Sequence, residues 1–233
     1  MRACIFGASG GIGAAMARQL AAREDVAELF ALARNPPADK GKVLGLAFDL
    51  EDEASIAAAA ETVGKGGAVD LVIVATGVLS LPGGTGPERS FSRIDPAEMA
   101  RVIALNTIGP ALIAKHMLPL LPRDRRGVFA AISARVGSIG DNRLGGWHSY
   151  RASKAALNML VRNFAIELAR SRPAAIAVAL HPGTVDTGLS APFQRGVPEG
   201  KLFTPEQSAA HLLRVIDGLG ADQSGELFGW DGT

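Results

Sequence analysis

The chain has 233 residues, 48% of them hydrophobic, which suits one α/β domain over residues 1–233 with a full-sized core. Its 24 Lys and Arg nearly balance 23 Asp and Glu, and a net charge of +1 argues against nucleic acid as the main partner. Cys4 is the only cysteine and the four histidines show no metal-ligand spacing, so no disulfide framework and no metal is expected.

Residues 1–6 read as a short buried strand, with Cys4 in the core. The run Gly7-Ala8-Ser9-Gly10-Gly11-Ile12-Gly13 follows at once, and an alanine-rich helix over 14–21 follows that. Strands are expected at 28–34 and 42–50, a helix at 52–63, and a buried strand at 69–76. Helical periodicity covers 95–121, a strand 127–134, a long helix 149–170, and a strand 174–180 stopped by His181-Pro182-Gly183. Thr204-Pro205-Glu206-Gln207 resembles a capping box opening a helix to about 219, and 225–230 can form a last strand. Apolar strands alternating with helices predict a single Rossmann-type, doubly wound parallel sheet of about seven strands with helices on both faces. No repeat or domain linker interrupts it. The Gly/Pro-rich stretches 79–91 and 185–202 are candidate loops beside a site. No signal peptide is expected before the first strand and no apolar run long enough to span a bilayer, so a reducing cytoplasm is the expected location.

Strand, glycine turn and helix in that order form the context of a dinucleotide fingerprint. Gly7 permits a tight exit from the strand, and Gly11 and Gly13 let backbone approach a pyrophosphate resting on the helix N-terminus. The spacing is Gly-x-x-x-Gly-x-Gly. At the end of the second strand, where an NAD-selective enzyme carries a carboxylate for the ribose 2′-hydroxyl, stand Ala33, Arg34 and Asn35. Arg34 can pair with a 2′-phosphate, so NADP(H) is favoured over NAD(H). Tyr150, the only tyrosine, precedes Lys154 by one helical turn, so both side chains lie on one helix face. An ammonium fixed beside a phenol lowers its pKa and suits it to exchange a proton with an alcohol oxygen.

The glycine run, the Tyr150/Lys154 pair, Pro182-Gly183 and the strand order together resemble the classical short-chain dehydrogenases/reductases over essentially the whole chain. Ser138-Ile139-Gly140-Asp141-Asn142, Tyr150 to Met159 and Gly229-Trp230-Asp231-Gly232 are most similar to the C-factor and sniffer-type carbonyl reductases. The resemblance implies Tyr150 as general acid in carbonyl reduction and Lys154 as its pKa-lowering partner and holder of the nicotinamide ribose. It implies that Asn106 holds a water in the proton relay. Ser9, Gly10 and Ile12 belong to the phosphate turn, Asp49 and Leu50 stand near the adenine, and Ala75, Thr76 and Gly77 border the cofactor where the family has Asn-Ala-Gly. Pro182, Gly183, Val185 and Thr187 resemble the stretch at the nicotinamide end.

The family's serine falls on Ala134 by ungapped matching. Two hydroxyls compete for its role, Ser133 beside it and Ser138 in the following loop, with a slight preference for Ser138. His148 could line the substrate pocket. The expected function is NADPH-dependent reduction of a small or apolar aldehyde or ketone. The alternative is an NAD(P)H-binding signalling or regulatory protein of the C-factor type with little turnover, and a relict scaffold is a third reading. The helices over 95–121 and 149–170 would allow a homodimer or homotetramer.

Overall fold

In the computed structural model, which describes residues 1–81, 83–84, 86–195 and 197–233, seven strands form one parallel sheet. They are β1 (Arg2–Phe6), β2 (Glu28–Ala33), β3 (Val43–Ala47), β4 (Leu71–Val74), β5 (Gly127–Ile132), β6 (Ala175–His181) and, after a small ladder of β7 (Thr184–Val185) with β8 (Leu202–Phe203), β9 (Leu227–Gly229). The order is β3-β2-β1-β4-β5-β6-β9, so the chain reverses its direction of travel between β1 and β4. Ligands of such sheets sit outside the strand ends at that reversal. Pro82, Thr85 and Gly196, which fall in the two stretches expected to be loops, lie outside the described residues.

Strand alternation splits the core in two. Cys4 and Phe6 face one side, packing with Ile56, Ile113 and Leu157, whereas Ala3 and Ile5 face the other with Met16, Leu20 and Leu212. The first layer holds α2 (Glu53–Gly64), α3 (Pro96–Ile103), α4 (Gly109–Met117) and α5 (His148–Ser171); the second holds α1 (Gly11–Ala22) and α6 (Pro205–Gly218).

Local sequence explains the helix starts. Asp52 and Asp95 cap α2 and α3 by accepting the amides of Ala54 and Glu98 at 3.0 and 2.8 Å. Thr204 and Gln207 close the expected capping box on α6 at 3.1 and 2.9 Å. By contrast α1 begins on Gly10 with no side-chain cap, which leaves its first amides for a ligand.

Two expectations are corrected. The helix over 95–121 is one rod, Pro96–Leu120, but a π turn at Ala104–Ile108 interrupts it around Asn106 and a 3₁₀ turn ends it. That rod is 25 residues long and contains an 18-residue stretch of mean hydropathy 1.2, so one helix does meet the length and composition of a membrane span, contrary to the sequence reading. Its Ile113, Ala114 and Met117 are buried against the sheet, as in the core helix of a globular protein.

Candidate active site

Two cavities meet at the carboxyl ends of the strands. One, of about 400 Å³, lies beyond β1, β2 and the segment after β3, and is lined by Gly7, Ser9, Gly10, Arg34, Asp49 and Leu50. The other, of about 280 Å³, lies beyond β5 and β6, and is lined by Ile12, Ser133, Tyr150, Lys154, Pro182, Gly183, Val185 and Thr187. Ala75, Thr76, Gly77 and Val78 line both, so the segment leaving β4 is their shared wall. Most residues singled out from the sequence thus gather along one crevice at the reversal of strand order.

The glycine turn is built for close approach. Gly7 has φ +93°, a conformation strained for other residues, and a side chain there would meet the Ala75 carbonyl at 2.9 Å. A methyl on Gly13 would overlap the Gly7 carbonyl oxygen, so the turn folds against α1 only with glycine at both places. Gly11 lies under the loop after β6, where a Cβ would stand 2.7 Å from the Thr187 methyl. Neither Gly11 nor Gly13 is among the residues lining these two cavities. Thr76 Oγ1 is buried with no partner among the described residues, a polar atom on the shared wall that a bound ligand can satisfy.

At the far end of the larger cavity Arg34 is exposed and makes no ion pair among the described residues. Arg101 lines the same cavity, but its guanidinium is held by Glu51 at 2.8 Å. Of the two, Arg34 is thus the one without a carboxylate partner among the described residues.

Tyr150 and Lys154, one turn apart on α5, both reach the smaller cavity and are both buried. The Lys154 Nζ lies 5.9 Å from the centre of the Tyr150 ring and donates to the Ile132 carbonyl at 3.0 Å. Burial pushes the phenol up to about 12 and the ammonium down to about 8. The expected lowering of the Tyr150 pKa by Lys154 is thus not what the chain alone produces, because burial of the phenol sets the direction of its shift.

Asn106 is fully buried behind the shared wall. Its Oδ1 accepts the Val78 amide at 2.8 Å, and its Nδ2 donates to the Val78 carbonyl at 2.8 Å and to Ser153 Oγ at 3.0 Å. The side chain clamps the loop after β4 to α5, and its polar capacity is taken up by protein.

The two candidate hydroxyls part company. Ser133, one residue past the end of β5, stays on the α5 side of the sheet that Ala131 occupies and lines the cavity, against the slight preference for Ser138. Ser138 is not among the lining residues and instead accepts the Asp141 amide at 3.3 Å. Ser133 Oγ donates to Asn158 Oδ1 at 2.6 Å. Ala134, at the place expected of a serine, packs against Tyr150 and Leu79.

Sequence reasoning missed several wall residues. Trp147, not His148, faces the cavity; its ring meets Tyr150 edge-on at 6.3 Å and Phe193 at 5.2 Å. It is the only non-glycine residue with positive φ among those described, at 52°. Phe193, Leu189 and Val197 come from the loop after β7, whose apolar composition was the available signal. His181, read only as part of a strand stop, lines the same cavity.

Comparison with known proteins agrees with this geometry. The family model for short chain dehydrogenase matches residues 1–197. The C-signal protein of Myxococcus xanthus is 39% identical over 168 residues, 72% of this chain and 92% of that protein. A 1-hydroxy-2-glutathionyl-2-methyl-3-butene dehydrogenase of Rhodococcus sp. (strain AD45) is 35% identical over 231 residues, 98% of this chain and 96% of that one. Among solved structures, an NADPH-bound carbonyl reductase from chicken fatty liver superposes with a TM-score of 0.85 at 27% identity, covering 100% of this chain and 93% of that one.

Proposed function

The chain belongs to the short chain dehydrogenase family, and we propose that, as one NAD(P)-binding domain, it reduces a small or apolar aldehyde or ketone with NADPH. The observation that carries this reading is Tyr150, buried on an apolar cavity wall, with Lys154 beside it and a glycine-floored crevice leading away from both. The residues fit a dinucleotide: Gly7, Ser9 and Gly10 with the open start of α1 would hold the pyrophosphate, and Asp49 and Leu50 would flank the adenine. Arg34 would pair with a 2′-phosphate. Ala75 to Gly77, with Pro182, Gly183, Val185 and Thr187, would border the nicotinamide half. When bound, the reduced nicotinamide supplies a hydride to the carbonyl carbon.

Tyr150 gives its phenolic proton to the carbonyl oxygen as the C=O electron pair collapses onto that oxygen. A phenol held near 12 stays protonated at neutral pH, so it has the proton to give, and the cation of Lys154 beside it would have to stabilise the phenolate for that proton to leave. Lys154 stabilises the phenolate left behind and returns a proton to it. Trp147, Leu79 and Phe193 exclude water and favour an apolar substrate body.

The test is NADPH oxidation with a panel of aldehydes, ketones and quinones, run beside Tyr150→Phe. The variant is expected to lose turnover while binding NADPH normally; unchanged turnover ends this mechanism. A second reading, a cofactor-binding regulatory protein, is favoured by one observation, the alanine at 134. Tight NADPH binding without turnover in the wild type would select it. We also infer a homodimer or homotetramer through the outer faces of the Pro96–Leu120 rod and α5, where Ile108, Met159 and Ile166 are exposed. A monomer by light scattering would remove that inference.

A further inference from the structure

Reducing a carbonyl concentrates negative charge on its oxygen, and a site gains most from more than one aimed donor. Tyr150 is one. The side chains that share its cavity can be sorted by what their hydrogens already do. The hydroxyl hydrogen of Ser133 is spent on Asn158 Oδ1. Lys154 Nζ donates to the Ile132 carbonyl, and Ser190 Oγ to the Val185 carbonyl. Thr76 lies on the wall shared with the adenosine end. His181, like Thr76, has a buried atom without a partner, Nδ1, and its Nε2 makes no hydrogen bond among the described residues; but it lies off that shared wall, in the cavity of Tyr150.

The position of His181 follows from sheet register. Ala131 pairs with Ala179 and Ile132 with Leu180, and the Ser133 amide donates to the Leu180 carbonyl at 2.7 Å. Two residues on, Ser133 and His181 therefore stand side by side on the face that Ala131 and Ala179 share, which is the face covered by α5. That helix carries Tyr150 and Lys154. Burial, reinforced by Arg135 and only partly opposed by Asp231, pushes the imidazole down to about 4. A neutral ring has one N–H donor and one acceptor.

Resting on the carbonyl-reductase reading, we propose that His181 donates a ring N–H hydrogen bond to the reacting oxygen of the substrate, opposite Tyr150, in the role that Ala134 leaves unfilled. The proton stays on the ring throughout; it is the phenol that protonates the substrate oxygen.

The experiment compares His181→Leu, His181→Gln, Tyr150→Phe and the double variant His181→Leu/Ala134→Ser, using the carbonyl probe with the highest wild-type turnover. Removing one such donor costs roughly a hundredfold or more in kcat. His181→Leu is expected to show that loss with NADPH affinity, read by fluorescence titration, unchanged. His181→Gln, which keeps a donor, is expected to stay within about tenfold of wild type, and Ala134→Ser in the double variant to recover at least about tenfold, in line with the same range. In the ¹⁵N-labelled protein with NADP⁺, adding the product alcohol is expected to shift a His181 ring N–H resonance. A His181→Leu variant with normal kcat, beside a dead Tyr150→Phe, overturns this inference alone. So does equal loss in the Leu and Gln variants without rescue, or an unmoved His181 resonance. Normal turnover by Tyr150→Phe overturns the underlying reductase reading instead.

Discussion

Glu88, in the loop after β4, closes the N-terminus of the helix that carries Tyr150, by accepting the Ser149 amide on both carboxylate oxygens at 3.3 and 3.2 Å and the Ser149 hydroxyl as well. The Trp147 amide donates to the Glu88 carbonyl at 2.5 Å, so both ends of one acidic residue are engaged. A carboxylate at a helix N-terminus satisfies free amides and meets the positive end of the dipole. The helix lacks a side-chain cap of its own, and Glu88 supplies one from 61 residues away.

Glu88→Ala is therefore expected to cost about 1–2 kcal/mol of stability, the range for loss of a helix cap. It should also raise KM for the carbonyl substrate, because Trp147 and Tyr150 are both anchored there. Although burial opposes ionisation, hydrogen bonds from Ser149 and backbone amides hold the Glu88 carboxyl below its usual range. A depressed carboxyl stabilises the fold above its unfolded pKa and loses that contribution as pH falls through the folded value. Urea melts at neutral pH and at pH 3 check this: wild type and variant should converge in acid.

Lys154 gives the same direction with pH for a different reason. Burial lowers it from 10.5 to about 8 with no carboxylate partner, so folding favours the neutral amine. Stability gained from this group is present above 10.5 and lost as pH falls to about 8. Lys154→Met is expected to equal or exceed the wild type in Tm at pH 7 while losing turnover. Its advantage should shrink between pH 8 and 10.5, a window thermal scans can read.

Asn106→Ala removes three hydrogen bonds from a fully buried site and strands the Val78 amide and carbonyl. Unsatisfied buried groups cost about 1–3 kcal/mol each, and losses in this range lower Tm by roughly 2–4 °C per kcal/mol in a chain of this size. Since Val78 lines both cavities, NADPH affinity should weaken in parallel. Differential scanning calorimetry with a fluorescence titration checks both. An Asn106→Ala protein as stable as wild type would deny the clamp.

Arg34→Glu replaces a free cation at the adenosine end with a carboxylate that accepts a ribose hydroxyl and repels a phosphate. Losing hydrogen bonds to a charged group costs about 1.5–3 kcal/mol, so the kcat/KM ratio for NADPH over NADH should fall by roughly tenfold to a hundredfold. An unmoved ratio would remove Arg34 from cofactor selection.

Features set by neighbours in the chain were legible without a structure. The order of strands and helices, the glycine turn, the Thr204–Gln207 box and the shared face of Tyr150 and Lys154 all depend on spacings of a few residues, and backbone periodicity makes such spacings geometric. Tertiary structure decided what periodicity does not carry. Ser133, and not Ser138, reaches the cavity because it keeps the α5 side of the sheet, where its hydroxyl meets Asn158. His181 stands beside it because β5 and β6, more than 40 residues apart in sequence, pair in one register. Glu88 caps a helix to which no local motif assigns it. The direction in which Tyr150 and Lys154 titrate was also a tertiary matter. Spacing predicts that two groups will meet, but burial, created by the apolar walls that distant loops bring around them, decides which charge state the meeting favours.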